Sequence, residues 1–175
     1  APFLDRVRAA DDAWGGELNT DLDLIDARLP KIAFSAYMGS TQSIPDSTPT
    51  KVQFGTEDYD VGSYYDNATN YRFTPLVAGY YLITGRVQLG SLSTAGALGL
   101  LEVYKNGSSH KRLGQLQNSG SGSIVPILNG SAIVYFNGST DYVELYVTQT
   151  NGGSLSTQGT TSPINFFQAV NLFPA

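Results

Sequence analysis

An all-β sandwich preceded by a short helical stem is the fold that this sequence predicts, on three observations. Charged residues make up only 14% of the 175 positions while glycine occurs 19 times, a balance that suits short strands joined by tight turns. From Ile32 onward, apolar and polar side chains alternate with a period of two. The dipeptide Asn-Gly, which accepts positive φ at both central turn positions, occurs at 106, 129, 137 and 151.

Residues 1–31 form a separate segment, because they hold six aspartates and few β-branched residues. Four apolar side chains of this segment recur at spacings of 4, 3 and 4, which places them on one helical stripe: Leu18, Leu22, Ile25 and Leu29. Pro30 ends the helix. The same spacing is that of a coiled-coil seam, so these residues are the predicted seam of an assembled stem or attachment segment. A single amphipathic helix docked on its own domain is the alternative.

The head, residues 32–175, is predicted to contain ten strands, each bounded by Gly, Pro, Asn or Ser. The strands are expected at about 32–38, 51–55, 71–76, 80–89, 98–105, 110–117, 123–128, 131–136, 142–147 and 164–173. The pair Asn137-Gly138 is the clearest predicted hairpin turn. Many short strands at this spacing, with no helical pattern among them, indicate a sandwich or barrel.

The last predicted strand is apolar on both faces, whereas an ordinary surface sheet needs only one apolar face. One predicted face carries Ile164, Phe166, Val170 and Leu172, and the other carries Phe167, Ala169 and Phe173. Burying the second face requires a partner, so we expect a subunit interface here. A charged residue at Phe167 or Phe173 is predicted to break the assembly, because an unpaired buried charge is costly.

Composition excludes several classes of partner. The net charge of −5 and pI near 4.6 leave no basic stripe for a phosphate backbone, so neither nucleic acid nor an anionic membrane surface is expected as a partner. No apolar run approaches the roughly 20 residues that span a bilayer, so membrane insertion is not expected. The chain contains no cysteine, which excludes disulfides and thiolate chemistry.

The segment 65–81 resembles the signature of the complement-component-1q globular head. An aromatic residue, Tyr65, and an Asx- and Thr-rich turn precede Phe73-Thr74-Pro75, and Gly79-Tyr80-Tyr81 opens a long strand. The opening Ala33-Phe34-Ser35-Ala36 and the ending Leu172-Phe173-Pro174-Ala175 are also similar to that family, which shares the tumour-necrosis-factor-like jelly roll. The resemblance covers about 33–175.

This resemblance implies a ten-strand jelly roll that forms a homotrimer, with both chain ends at its base and loops at the opposite tip. The implied strands place the trimer interface or core at Phe34, Tyr81, Ile83, Val134, Phe136, Phe167 and Phe173. The first segment, from Asp11 to Ala27, in turn resembles a short segment that recurs in tail-fibre and other appendage proteins of bacteriophages.

No constellation of residues predicts an enzyme. The only histidine, His110, is interpreted as an exposed turn residue, because a triad needs an orienting carboxylate and a pocket. Glu57, Asp58, Asp60 and Asp66 cluster near a predicted loop, and some members of the resembled family bind calcium. Asp58 and Asp60 are therefore weak calcium candidates, although their spacing matches no calcium loop and solvated turn carboxylates are the simpler interpretation. No other cofactor is expected.

Two nearly identical heptapeptides, at 90–96 and 153–159, form the candidate binding site. Antiparallel alternation of the strands places both at the distal tip. The candidate receptor-binding residues are Ser91, Leu92, Ser93, Thr94, Ser154, Leu155, Ser156 and Thr157. Their hydroxyls could bond a polar surface such as cell-wall sugar. The alternative is that two flexible loops drifted to similar polar sequences.

Taken together, these features predict a non-enzymatic virion appendage tip, on a tail fibre or spike, that binds a host-surface receptor or glycan through its distal loops. The expected partners are two further copies of the chain, other appendage proteins through the first segment, and the host surface. The alternatives are a purely structural trimerisation knob and a bacterial extracellular, secreted or spore-surface protein of the same fold.

Overall fold

The computed structural model describes residues 32–158 and 163–174, and all its regular elements there are β-strands. The predicted stem seam of Leu18, Leu22, Ile25 and Leu29 lies outside these residues. No helix within the two ranges is long and apolar enough to cross a membrane. The all-β prediction is thereby confirmed for the head.

Thirteen strands are present in these ranges, rather than the ten predicted. They are β1 Ala33–Tyr37, β2 Ser43–Ile44, β3 Thr50–Lys51, β4 Thr56–Val61, β5 Tyr65–Asp66, β6 Arg72–Phe73, β7 Ala78–Gln88, β8 Leu98–Lys105, β9 Ser108–Gln117, β10 Ile127–Asn137, β11 Val143–Gln149, β12 Leu155–Ser156 and β13 Phe166–Pro174. The increase comes chiefly from two-residue strands that are too short to show a period.

The long strands form two antiparallel sheets. The first sheet has the order β10-β7-β13-β1-β4, and the second has the order β5-β6-β11-β8-β9 with β3 paired to β11. The short strands β2 and β12 pair with each other separately. Because alternate side chains point to opposite faces, each sheet contributes one apolar face to a shared core.

Aromatic rings fill the centre of this core. The Phe34 ring stacks on Tyr65 and Phe73, with centroids 4.5 and 4.7 Å apart, and it meets Phe167 edge-on at 4.9 Å. Rings in such offset and edge-on arrangements contribute more than their buried area alone. The core therefore ties β1 and β13 of the first sheet to β5 and β6 of the second.

Six of the seven residues predicted at the trimer interface belong to this core instead. All six are at most 2% exposed within a single chain: Phe34, Tyr81, Ile83, Val134, Phe136 and Phe167. Their side chains already pack between the chain's own two sheets, so no neighbouring copy can contact them. Only Phe173 is available on the surface, where it is 54% exposed.

The predicted turn at Asn129-Gly130 is wrong, because both residues lie inside β10. Asn129 pairs with Arg86 and Gly130 with Gly85 in a continuous register. Gly130 is required there by close packing rather than by a turn, since a Cβ at this position would lie 2.1 Å from the Leu113 carbonyl oxygen. The two strands expected at 123–128 and 131–136 are accordingly one strand.

Replacing Gly130 with Ala should lower the free energy of unfolding by about 1–3 kcal/mol, because β9 and β10 must separate to admit the new methyl group. Denaturant unfolding measures the loss. Gly122→Ala is the matched control, since a Cβ there meets nothing within 4 Å. Equal stability of the two variants would contradict this packing.

The Asn-Gly pairs at 106 and 137 have different roles. Asn106 and Gly107, with φ of 52° and 79°, form the two-residue turn that joins β8 to β9. Asn137 ends β10 and Gly138 also has positive φ, but the chain then crosses to β11 in the other sheet. The hairpin predicted at Asn137-Gly138 is therefore wrong, because the two flanking strands never pair.

Candidate functional site

Strand directions define the two ends of the sandwich. Tyr37, at the end of β1, pairs with Phe166 at the start of β13, whereas Ala33 pairs with Val170. We call the end that holds Phe166 the tip and the opposite end the base. β7 ends at the tip, so the segment that follows it leaves there. The segment after β11 leads to the start of β13, which also lies at the tip.

The two similar heptapeptides meet at this tip. The Gly90 amide donates to the Ser156 carbonyl oxygen at 2.8 Å, and Leu89 forms an antiparallel bridge with Thr157. The Oδ1 of Asn151, just before the second heptapeptide, accepts hydrogen bonds from the Ser93 and Thr94 amides at 2.7 and 3.1 Å. The structure therefore joins the two loops into one surface.

Five of the eight candidate residues are exposed on this surface: Ser91, Ser93, Thr94, Ser154 and Ser156. Leu155 is half-buried and pairs with Ile44 in the short sheet of β2 and β12. The exposed side chains are small and hydroxylated, so they can hydrogen-bond a ligand without a large loss of rotamer freedom, except that the Thr94 hydroxyl already donates to the Asn151 carbonyl oxygen at 2.7 Å. The tip thus offers a dense set of hydroxyls.

Leu92 and Thr157 are fully buried and cannot be contact residues as predicted. Leu92 exchanges two backbone hydrogen bonds with Ile124, at 2.8 and 3.0 Å. The hydroxyl of Thr157 accepts a hydrogen bond from the Gln42 amide at 2.9 Å. Both residues therefore hold the loops to the rest of the head, and neither side chain is available to a ligand.

Sequence reasoning missed the amide side chains that hold the tip in place. The buried Asn118 donates to the carbonyl oxygens of Leu92 and Gly122 and accepts from the Gly120 amide. The buried Gln149 donates to the Ile44 and Gly153 carbonyl oxygens and accepts from the Asn151 amide. Their only sequence signal is an Asn or Gln at the end of a strand, beside a Gly- and Ser-rich loop.

A second candidate surface is the outer face of the first sheet, on the side away from the core. Eight large apolar or aromatic side chains are 42–54% exposed there: Tyr59, Val61, Tyr80, Ile127, Ile133, Tyr135, Val170 and Phe173. The rings of Tyr135, Tyr80 and Phe173 form one cross-strand row, with centroids 5.3 Å apart at each step. Exposed apolar side chains gathered on one sheet face are typical of protein–protein contact surfaces.

A bulge in β13 places Phe173 on this outer face. Asn171 pairs with Tyr81 and Phe173 with Tyr80, so Leu172 is the extra residue between them. The bulge reverses the alternation, and the predicted grouping of Phe173 with Phe167 and Ala169 is wrong. Phe167 and Ala169 point into the core, whereas Phe173 points outward with Val170.

The acidic residues near 57–66 lie in β4 and β5, on both sides of the turn at 62–64, close to the loop that the sequence predicts. Asp58 and Asp60 lie in β4, where an Asp58 oxygen accepts from the Ser35 hydroxyl and an Asp60 oxygen accepts from the Tyr65 amide. Among the residues that the structure describes, no group of three or more possible ligands could hold a metal ion. Asp58 and Asp60 are each bound to a neighbouring strand or turn instead.

His110 is exposed and lies in the edge strand β9. Partial burial and the nearby charges of Lys111 and Lys105 lower the pKa of its imidazole, because each of these effects disfavours the charged form. It lies in the strand expected at about 110–117, which begins two residues earlier, at Ser108.

Comparison with known proteins identifies the fold alone. No family model and no curated protein matches the chain. Among solved structures, the Eiger TNF of S. frugiperda superposes with a TM-score of 0.53 at 15% identity, covering 83% of this chain and 95% of that one. Murine APRIL at pH 5.0 gives a TM-score of 0.56 at 13% identity, covering 81% and 99%. Murine APRIL at pH 8.0 also gives 0.56, at 15% identity.

These similarities confirm the predicted jelly roll of the tumour-necrosis-factor type for the head. At 13–15% identity they carry no information about ligand or partner. The complement-component-1q and tail-fibre resemblances rest on the sequence motifs only.

Proposed function

We propose that this TNF-like head is the non-enzymatic tip of a virion appendage, a tail fibre or spike, that binds a host-surface receptor or glycan as a homotrimer. The observation that carries the proposal is the joined pair of hydroxyl-rich loops at the tip. Exposed hydroxyls held on a rigid scaffold suit a polar, sugar-like surface, because little conformational freedom is lost on binding.

The outer face of the first sheet supports assembly with two further copies. In a cyclic trimer each subunit contacts its two neighbours through two different parts of its own surface. The face offers one apolar part on β10, at Ile133 and Tyr135, and another on β4, at Tyr59 and Val61. Three identical tips would then face one surface together, and weak sites gain strength through avidity.

The predicted stem at 1–31 is part of the same proposal. It would link the head to other appendage proteins and place the head on the virion surface, as its resemblance to tail-fibre segments suggests. The same fold on a secreted, cell-surface or spore-surface bacterial protein is an alternative location.

A purely structural trimerisation knob is the second candidate function, and one observation favours it. Backbone groups of both tip loops are already bonded within the chain, because Asn151 accepts from the Ser93 amide while Asn118 and Gln149 donate to the Leu92 and Gly153 carbonyl oxygens. Loops that satisfy their own backbone groups need no ligand. The receptor-binding tip and the structural knob therefore differ only in whether the exposed hydroxyls bind a ligand.

Replacing both Ser91 and Ser154 with Arg should lower binding to host cells or isolated cell-wall fractions at least tenfold, because bulky charges would cover the hydroxyl surface. Both residues are exposed, so folding and trimer mass should not change. Ser108→Arg with Ser139→Arg, at exposed positions of the base end, is the matched control. Unchanged binding by the tip variant, or no binding by the native protein across a panel of walls and glycans, would favour the structural knob.

A further inference from the structure

A pocket of about 390 Å³ opens at the base end, among the turns that connect β4, β5, β6 and β7. Its lining residues are Gly62, Ser63, Tyr64, Tyr65, Asp66, Arg72, Thr74 and Leu76. None of these residues belongs to the tip loops or to the exposed apolar set on the first sheet. Its size suits a single small organic molecule rather than a chain segment.

The backbone around this pocket is held in an unusual conformation. Ser63 and Tyr71 have φ of 57° and 50°, in the left-handed region that side chains other than glycine seldom occupy. Gly62, at φ of 106°, has no Cβ, and one built there would lie 2.4 Å from the Tyr64 ring. The absence of a Cβ therefore lets the Tyr64 ring pack close to the backbone of Gly62, and Tyr64 lines the pocket.

Arg72 carries a positive charge that no carboxylate pairs with among the described residues. Its guanidinium lies 4.5 Å from the centroid of the Tyr142 ring, and it forms no ion pair within the two described ranges. Its cross-strand partner is Asp66, but no ion pair joins the two side chains. The planar fork of donors is thus free to bind a carboxylate in bidentate fashion.

Asp66 is occupied by its own turn. One carboxylate oxygen accepts from the amides of Ala68 and Thr69, and the other accepts from the amide and side chain of Asn70. Chiefly because of the Thr69 amide, the pKa of Asp66 falls to about 2. Its negative charge is spread over these donors, which weakens its repulsion of a bound anion.

Three hydroxyls complete the lining: those of Ser63, Tyr64 and Thr74. In the part of the chain that the structure describes, none of them has a hydrogen-bond partner within the protein. Leu76 is 58% exposed at the rim and adds an apolar contact beside the Tyr64 ring. A free guanidinium, free hydroxyls and an aromatic wall together match a ligand with a carboxylate, several hydroxyls and an apolar ring face.

We infer that this pocket binds an acidic monosaccharide, of the uronic-acid class, with its carboxylate on Arg72 and its ring against Tyr64. The site is separate from the proposed receptor-binding loops, because none of its lining residues belongs to them. A free phosphate could pair with the Arg72 guanidinium, but it has no apolar face to pack against the Tyr64 ring and Leu76.

The test is a titration of the whole protein with glucuronate, glucose and acetate, followed by calorimetry and by backbone amide shifts in NMR. We expect glucuronate to bind at least tenfold more tightly than either of the others, with shift changes confined to residues near 62–76. Arg72→Gln should weaken glucuronate binding at least tenfold, since a charge-assisted bidentate pair is lost. Arg112→Gln, which removes an exposed arginine paired with Glu102, should leave it unchanged.

Equal affinity for glucuronate and glucose, or for glucuronate and acetate, would overturn the inference. Shift changes at the tip instead of near 62–76 would also overturn it, and this readout uses the native protein, so it does not depend on whether Arg72→Gln folds. Loss of glucuronate binding in the tip variant Ser91→Arg with Ser154→Arg would assign the sugar to the tip instead.

Discussion

Phe173→Asp is expected to convert the proposed trimer into folded monomers. The side chain is 54% exposed in the single chain and lies in the aromatic row with Tyr80 and Tyr135, so a carboxylate there costs the subunit little. In an assembled trimer the same carboxylate would be buried without a partner, at a cost of several kcal/mol for each copy. Light scattering gives the mass, and circular dichroism shows whether the subunit stays folded.

Val125→Asp is the matched control for this prediction. Val125 is similarly exposed, at 50%, but lies in the loop between β9 and β10 rather than on the outer face of the first sheet. It should therefore leave the mass unchanged. If the Phe173→Asp protein remained trimeric, the subunits would have to contact each other through another surface.

Phe167→Ala should destabilise the subunit itself, by about 3–5 kcal/mol. Phe167 is fully buried and meets Phe34 and Tyr65 edge-on, at 4.9 and 5.8 Å, so its removal leaves a cavity between the two sheets. Chemical denaturation at two protein concentrations separates this loss from any effect on assembly, because only dissociation depends on concentration.

The comparison of Phe167→Ala with Phe173→Ala tests the assignment of the two rings directly. The second variant should lose far less stability as a monomer, because its ring leaves no internal cavity. Similar losses at both positions would show that the two rings are buried alike and would contradict the bulge at Leu172.

The candidate site was only partly predictable from the sequence. The repeated heptapeptides identified both tip loops, and the structure joins them through Gly90 and Ser156. The burial of Leu92 and Thr157 could not be foreseen, because each depends on a strand or loop distant in sequence, at Ile124 and Gln42. The base pocket was missed because its arginine lies in the two-residue strand β6 while its hydroxyls lie in two separate turns, before β5 and after β6.

The sequence by itself determined the all-β class, the positions of β7, β8, β9 and β11 to within two residues and the turn at Asn106-Gly107. These features follow from local preferences: alternation along one strand, and the backbone freedom of two adjacent residues.

Only the tertiary structure decided which apolar side chains remain for a partner. Alternation gives a strand two faces but does not say which face the chain's own second sheet covers. That is why Phe34, Tyr81 and Phe167 were assigned to an interface although they form the core. One bulged residue then reversed the direction of Phe173, because a shift of one position exchanges the two faces of a strand.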